Sequence, residues 1–198
     1  MKTRDFVDNA WVQLDPDGKD TGVEPFYAWC DMSADGAIGI TEIGHQFLND
    51  THVQGKEGIC EFSRSVEYDN ATLAQLTSLI DTSGSCTQDI RWRCHSAAIT
   101  SIFSDSVKFT YWTNRDGQER DYWEGSDSSL AKCACGIRGD CDDPDKVCNC
   151  DSNDAVWRQD YGVLRNKQDL PVTGFCAGDT GGDMEQGYFR IGKLKCFG

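Results

Sequence analysis

The sequence KCACGIRGDCDDPDKVCNCD, from Lys132 to Asp151, contains five cysteines within eighteen positions. Two glycines, one proline and four aspartates lie between these cysteines, and such residues favour turns over regular helices or strands. The composition therefore predicts an irregular segment that is held together either by disulfides or by a metal ion. We call it the cysteine-rich segment, and its cysteines are Cys133, Cys135, Cys141, Cys148 and Cys150.

Disulfides explain this segment better than a zinc ion does. Thiolates favour tetrahedral zinc, but structural zinc sites usually space their ligand pairs as C-x2–4-C, and two C-x-C pairs would crowd one ion. The whole chain has eleven cysteines and two Asn-x-Thr sequons, a combination typical of secreted proteins. We therefore expect an extracellular, disulfide-rich chain that is glycosylated at Asn49 and Asn70.

Composition favours a single globular domain over residues 1–198. The chain is 38% hydrophobic and 11% aromatic, which provides enough apolar mass for a core. Its net charge of −14 disfavours nucleic acid and anionic lipid surfaces as partners. No apolar run approaches the roughly 20 residues that span a bilayer. Met1 to Arg4 is charged and is followed by no apolar signal-peptide region, so we expect the chain to be cut from a longer protein.

Local patterns predict mainly short strands. Apolar residues alternate with polar ones in several runs that are bounded by turn residues, and one run changes to the period of a helix. In that run Leu73, Leu76 and Ile80 share a face, and Asp69, Asn70 or Thr72 can cap its start. The patterns predict a hairpin over 9–29, a strand over 59–68, a helix over 71–80, a strand over 86–94, a hairpin over 107–123 and a final strand over 188–196.

A series of short motifs resembles a known family. A turn of the form LDPDG and the triplet Cys30-Asp31-Met32 resemble the start of fibrinogen-like domains. The second half is similar to the fibrinogen-like module of contactin-associated proteins, relatives of the neurexins. The motifs that carry this likeness are, in order, QLTSLIDTS, CTQDI, KCACG, CNCD, WRQDYGVL, KQDLPVT, GDT and GKLKC. The chain departs from the family at 37–40, where AIGI replaces an expected tryptophan, and in having Cys60 and Cys176.

The resemblance implies an α+β fold of short, twisted antiparallel strands with one or two short helices. It also implies non-catalytic recognition, as an extracellular module of an adhesion or matrix protein that binds a protein partner. The alternative is a calcium-dependent carbohydrate-binding module of a secreted lectin. We expect no cofactor, but calcium ligands would come from aspartates, which more often simply solvate loops. The candidates are Asp140, Asp142, Asp143 and Asp145, with Asp179 and Asp183 in a later glycine-rich turn.

The cysteines can be paired in part. Cys86 and Cys94 close a nine-residue, hairpin-like stretch, so we expect a bridge between them. The five cysteines of the cysteine-rich segment and Cys196 then make three bridges, among which the sequence cannot choose. The two cysteines that the family lacks, Cys60 and Cys176, are expected to pair with each other. Cys30 is left unpaired. Because the resembled family has an upstream cysteine, we expect the partner of Cys30 to lie outside this sequence; a free and exposed Cys30 could instead form an intermolecular disulfide.

Enzymatic and integrin-binding functions have little support. No serine lies in a Gly-x-Ser-x-Gly motif, and the histidines are His45, His52 and His95, the last beside a cysteine assigned to a bridge. We therefore expect no catalysis. The tripeptide Arg138-Gly139-Asp140 could engage an integrin, but such tripeptides are common by chance. The aromatic residues of the 107–123 hairpin are expected to lie mainly in the core; they are Tyr111, Trp112, Tyr122 and Trp123.

Overall fold

A computed structural model describes residues 8–33, 39–100, 108–123 and 132–198. Two short helices, α1 (Leu73–Thr82) and α2 (Ala134–Arg138), accompany twelve strands in these residues. The strands are β1 (Ala10–Leu14), β2 (Phe26–Asp31), β3 (Ile40–Ile43), β4 (Thr51–Gln54), β5 (Phe62–Ser65), β6 (Ser85–His95), β7 (Tyr111–Thr113), β8 (Glu119–Arg120), β9 (Arg158–Leu164), β10 (Gly174–Ala177), β11 (Gln186–Ile191) and β12 (Leu194–Phe197). Some residues named in the sequence analysis lie outside the described residues; they are Met1–Arg4, Ala37, Ile38 and Val107.

The strands form two antiparallel sheets. The larger sheet has the order β1-β2-β3-β12-β6-β11-β4, and β9 pairs with β6 as its eighth strand. The smaller sheet has the order β5-β10-β7-β8. Every strand pair in the described residues is antiparallel, which agrees with the predicted α+β class of short antiparallel strands and short helices.

Strand β6 is the centre of the larger sheet. Its sequence SCTQDIRWRCH alternates strictly, so Cys86, Gln88, Ile90, Trp92 and Cys94 turn inward while the residues between them turn outward. β6 is long enough to pair with three strands: β9 spans 88–94 of it, β11 spans 90–95 and β12 spans 85–87. The strand predicted over 86–94 is confirmed. Its outward-facing side chains lie in line with those of the neighbouring strands and form one continuous outer face of the sheet.

The predicted hairpin and helix are also present. β1 and β2 pair from Ala10 opposite Cys30 to Leu14 opposite Phe26, around the predicted turn. Helix α1 begins after Thr72, whose hydroxyl accepts the backbone N–H of Gln75, while the Gln75 side chain accepts the N–H of Thr72. This capping box fixes the helix start, because it satisfies two donors that the helix leaves free. Its buried residues are Leu76, Leu79 and Ile80.

Aromatic rings fill the core between the sheets. Phe175 of β10 stacks on Phe189 of β11 with ring centroids 4.4 Å apart, and Trp92 lies 5.9 Å from Phe175. Burying each such side chain contributes about 1.5–3 kcal/mol, so this cluster is a major stabilising contact between the sheets. The expectation that the aromatic residues of the 107–123 hairpin are core residues is confirmed: Tyr111, Trp112 and Trp123 are buried and Tyr122 is half-buried.

The predicted final strand over 188–196 is wrong in one respect, because it is two strands. The strand is interrupted at Gly192, whose N–H donates to the Asp89 carbonyl at 2.7 Å. A Cβ on Gly192 would lie 1.8 Å from a carboxylate oxygen of Asp89, so any larger residue there would require the Asp89 side chain to move. The break lets β11 pair with β4 and the second half of β6, while β12 pairs with β3 and the first half.

The cysteine-rich segment is not wholly irregular, which corrects the prediction that it contains no helix. α2 occupies Ala134–Arg138, and a 3-10 turn occupies Cys150–Ser152. Gly139 ends α2 in the left-handed region with φ 72°, where glycine is favoured. Disulfides at Cys133 and Cys135 hold the helix, so five residues can stay helical despite the turn-forming composition.

The structure has five disulfides, and it contradicts the predicted bridge between Cys86 and Cys94. Both residues lie on β6, where eight residues of extended chain separate their Cα atoms by about 26 Å. A disulfide requires Cα atoms within about 7 Å. Cys86 instead lies directly opposite Cys196 on β12, with their Cα atoms 4.1 Å apart. The other bridges are Cys60–Cys176, Cys94–Cys150, Cys133–Cys148 and Cys135–Cys141.

The pairing shows how the cysteine-rich segment is attached. Two of its bridges are internal, and Cys94–Cys150 fastens it to β6. Cys196 therefore does not bridge to this segment, which corrects the expected grouping. Cys30 is a free, half-buried thiol in the described part of the chain.

No helix among the described residues is long and apolar enough to cross a bilayer.

Candidate recognition surface

The outer face of the larger sheet carries an exposed row of aromatic and arginine side chains. Alternation along each strand selects these residues, and the strand register aligns them. Arg93 of β6 lies opposite Tyr188 of β11 on one side and Gln159 of β9 on the other, and Tyr188 lies opposite His52 of β4. A single row across four strands therefore has the order Gln159, Arg93, Tyr188 and His52.

Trp157, the residue immediately before β9, completes this row. The Trp157 ring lies 5.7 Å from that of Tyr188, which in turn stacks on His52 at 4.7 Å. The guanidinium carbon of Arg93 is 4.5 Å from the Trp157 ring centroid. Trp157 is 39% exposed and the neighbouring Tyr161 is 62% exposed. We call the set His52, Arg93, Trp157, Tyr161 and Tyr188 the aromatic–arginine surface.

A cavity of 630 Å³ opens beside this surface, and we call it the β9-edge pocket. It lies between β9, α2 and the cysteine-rich segment, and the Cys94–Cys150 bridge holds that segment against the sheet. Its lining includes Arg93, Arg138, Asp142, Asn149, Trp157 and Asp160. The disulfides therefore build one wall of a pocket whose other wall is the outer face of the sheet.

Most charges around the pocket are paired within the chain. Arg158 donates to Asp154 and Asp142, each at 2.7 Å. Asp160 is buried and accepts the backbone N–H groups of Asn149 at 3.1 Å and Cys150 at 2.9 Å. Burial raises the pKa of Asp160 to about 6, since desolvation disfavours the carboxylate more than these hydrogen bonds stabilise it.

Three of the four aspartates considered for calcium accept hydrogen bonds from different partners. Asp140 accepts from Arg138 at 2.9 Å, Asp142 from Arg158, and Asp143 from the backbone N–H of Asp145 at 3.0 Å. No three of their carboxylates, with one another or with a histidine or cysteine of the described chain, converge within 4.8 Å.

Asp179 does meet other carboxylates, those of Glu57 and Glu185, with oxygens within 4.8 Å of one another. Asp179 also accepts the Ala98 N–H at 2.6 Å, and burial raises its pKa. Asp183 is exposed and does not belong to this cluster. A second group, Cys133, Cys148 and Asp160, offers no thiolate because its cysteines form a disulfide.

The remaining sequence-derived candidates lie at the surface or in structural contacts. Asn49 and Asn70 are both exposed. The Arg138-Gly139-Asp140 tripeptide is exposed too, but its Arg and Asp side chains pair with each other. His45 is buried, its Nε2 lies 2.9 Å from the Gly192 carbonyl, and burial lowers its pKa. His95 Nδ1 lies 2.7 Å from the Met184 carbonyl, and His52 Nε2 lies 3.0 Å from the side chain of Gln186.

Comparison with known proteins gives the chain its family. No protein-family model matches the chain. It is 37% identical to Neurexin-4 of Drosophila melanogaster over 192 residues, which is 94% of this chain. It is 31% identical to Contactin-associated protein 1 of Homo sapiens over 185 residues, or 93% of this chain, and the Rattus norvegicus protein gives the same values. The chain is a domain of the contactin-associated protein and Neurexin-4 type.

This assignment confirms several predictions. The relatives are non-enzymatic cell-adhesion proteins, and a disulfide-rich domain of this type is extracellular, as predicted. The contactin-associated-type domain spans only 15% of Neurexin-4 and 13% of Contactin-associated protein 1. The partners of the whole proteins therefore do not follow from the match.

Sequence reasoning did not select the aromatic–arginine surface. The strand predicted over 86–94 contains Arg93, and Trp157 begins the motif WRQDYGVL, but no local pattern in the sequence places these two residues together. Strand β9, which brings Trp157 to Arg93, mixes charged and apolar residues and carried no clear strand pattern. The available sequence signal was the spacing of Trp157 and Tyr161, because residues four apart on a strand share one face.

Proposed function

We propose that this domain is a non-catalytic recognition module that binds another extracellular protein through the aromatic–arginine surface. The observation that carries the proposal is the exposed Trp157, which is packed between Arg93, Tyr188 and His95. Trp, Tyr and Arg are the residues most enriched where protein interfaces concentrate their binding energy. Their neighbours hold the side chains in place, so little conformational entropy is lost on binding.

The chemistry of the surface supports a protein partner. Exposed aromatic rings supply apolar area, and the adjacent arginines supply hydrogen bonds and charge at the edge, as in the centre and rim of protein interfaces. The surrounding sheet is rigid, since β6 pairs on both sides and two disulfides, Cys86–Cys196 and Cys94–Cys150, anchor it. A rigid platform is suited to recognition, because it presents the same contacts to every partner.

The test measures how strongly a tetrameric form of the domain binds to cells whose surface proteins it recognises. Trp157→Ala should reduce cell binding at least tenfold, the size expected when an interface aromatic residue is truncated. Trp11→Ala is the matched control, because Trp11 is a 58% exposed tryptophan at the far edge of the same sheet. Equal binding of wild type and Trp157→Ala would refute the proposed surface.

Two further arms separate the protein partner from the lectin alternative. Binding to a protein should persist in a calcium chelator and after enzymatic removal of cell-surface glycans. Loss of binding in both treatments would replace the proposal with calcium-dependent carbohydrate recognition, for which the cluster of Glu57, Asp179 and Glu185 would be the first set of residues to substitute.

A further inference from the structure

Arg93 differs from the other arginines of the outer sheet face. Arg91 pairs with Asp50, and Arg190 pairs with Asp89 at 3.2 Å. Among the described residues, Arg93 has no carboxylate within 4.0 Å and donates no hydrogen bond. The chain has 33 acidic and 19 basic residues, so carboxylates are abundant and an arginine without one is a departure from the pattern.

The position of Arg93 is nevertheless well defined. Its guanidinium carbon lies 4.5 Å from the Trp157 ring centroid and 5.9 Å from that of Tyr188. Such cation–π contacts hold the guanidinium against the ring face while leaving its in-plane N–H groups free. These N–H groups form a planar fork that matches a carboxylate, and the stacking lowers the entropy cost of using it.

The other charged groups of the β9-edge pocket are already committed. Asp142 accepts from Arg158, and both oxygens of Asp160 accept backbone N–H groups. Asn149 is also engaged, since its side chain accepts the N–H of Asp142 and donates to the Gln159 carbonyl. The other two arginines of the pocket are also paired, Arg138 with Asp140 and Arg158 with Asp142. Among the described residues, Arg93 is therefore the pocket cation that remains available for an incoming anion.

We infer that Arg93 binds the side-chain carboxylate of an acidic segment of a protein partner, seated in the β9-edge pocket. This inference rests on the proposed function and names the chemistry of its partner. The chain's net charge of −14 does not prevent such an approach, because charges beyond about 8 Å are screened at physiological salt and the nearby guanidinium dominates. The same net charge disfavours binding of an acidic segment elsewhere on the surface, so it adds specificity.

A protein carboxylate fits the pocket better than a neutral sugar. Sugars pack on open aromatic faces, whereas Arg93 already lies over the Trp157 ring. The guanidinium of Arg93 therefore covers this face of the Trp157 ring, and the group available to a ligand is the guanidinium. A sugar that carries a carboxylate would offer Arg93 the same anionic group as an acidic peptide. The experiment below therefore tests both kinds of ligand.

The experiment titrates the intact, disulfide-bonded domain with an N-acetylated, C-amidated hexaglutamate peptide, followed by NMR at the Trp157 indole N–H. Hexaglutamine is the neutral probe, and free N-acetylneuraminic acid is the sugar probe. Hexaglutamate should shift the Trp157 signal in a saturable, salt-sensitive way. Arg93→Ala should weaken its binding by about 10- to 100-fold, as expected for a hydrogen bond to a charged group. Arg93→Lys should give an intermediate loss, because it keeps the charge but not the fork.

Arg64→Ala is the matched control. Arg64 also lies 4.5 Å over an aromatic ring, that of Phe62, and has no carboxylate within 4.0 Å in the described residues, but it is on the smaller sheet. Arg64→Ala should bind hexaglutamate as the wild type does. An equal loss in both variants would mean non-specific charge attraction and would overturn the inference.

The remaining outcomes separate this inference from the proposed function. If hexaglutamate does not bind but Trp157→Ala still abolishes cell binding, the carboxylate assignment is wrong and the recognition surface stands. If N-acetylneuraminic acid binds in place of the peptide, a protein source for the carboxylate is wrong. If hexaglutamate binds through Arg93 but Trp157→Ala leaves cell binding unchanged, the carboxylate site stands and the proposed surface does not.

Discussion

Replacing Gly187 with alanine should strain the core directly behind the recognition surface. Gly187 lies in β11 opposite Cys94, and its missing side chain leaves room for the indole of Trp92. A Cβ at Gly187 would lie 2.1 Å from Cη2 and 2.2 Å from Cζ2 of that ring. Since an ordinary contact is at least 3.4 Å, the ring would have to retreat by about 1.3 Å.

Trp92 has little space for that movement. It is fully buried, and the ring of Phe175 lies 5.9 Å away on the core side. Overpacking of this kind costs about 3 kcal/mol at the upper end of its usual range. Alanine also lowers the conformational entropy of the unfolded chain, which offsets about 0.5–1 kcal/mol of this cost. The net loss in the free energy of unfolding should be about 2 kcal/mol, which lowers the Tm by about 4–8 °C for a chain of this length.

Unfolding by denaturant and by heat, followed by circular dichroism under non-reducing conditions, measures this loss. Gly58→Ala is the control, because the nearest atom to a Cβ there is 3.6 Å away and its backbone is unstrained. The double variant Gly187→Ala with Trp92→Phe should show a favourable coupling, since the smaller ring leaves room for the methyl group. A Gly187→Ala variant as stable as Gly58→Ala would refute the packing argument.

Two further predictions concern charge and disulfides. Burial raises the pKa of Asp160 to about 6 from 3.8, so folding favours its protonated form, and up to about 3 kcal/mol of stability should be lost as pH rises from 4 to 7. Asp160→Asn should remove this part of the pH dependence in denaturant titrations, and identical pH slopes would contradict the assignment. In unreduced, denatured protein, alkylation should label Cys30, and peptide mapping should recover Cys86 linked to Cys196. A Cys86–Cys94 peptide would contradict the structure.

Elements with a local pattern were predictable from the sequence. The alternation of Ile90, Trp92 and Cys94 indicated β6, and the structure buries all three. The cap at Thr72 and the spacing of the apolar residues after it indicated α1 to within about two residues at each end. Such signals are read from neighbours in the chain, because strand and helix periods repeat every 2 and 3.6 residues.

Short or mixed strands were missed for the opposite reason. β3 and β4 have four residues each, too few to establish a period, and β9 mixes charged with apolar residues. The β11–β12 break was also missed, because Gly192 was read as one residue of an alternating run. Its role depends on contact with Asp89, which lies far away in the sequence.

The candidate site shows the same division. The sequence indicated that the chain is extracellular and disulfide-rich, and it gave the family through ordered motifs, since these are properties of composition and local order. It did not pair Cys86 with Cys196, which are 110 residues apart, because any two cysteines can approach until strand register is known. Nor did it join Arg93 to Trp157 and Tyr188.

By itself, then, the sequence determined the class of fold, the helix, the principal strands and the compartment, because each depends on residue types or on spacing over a few positions. Only the tertiary structure decided which cysteines bridge and which exposed side chains form one surface. Both depend on the pairing of β6 with β9, β11 and β12, in which the register brings together residues that no local pattern connects.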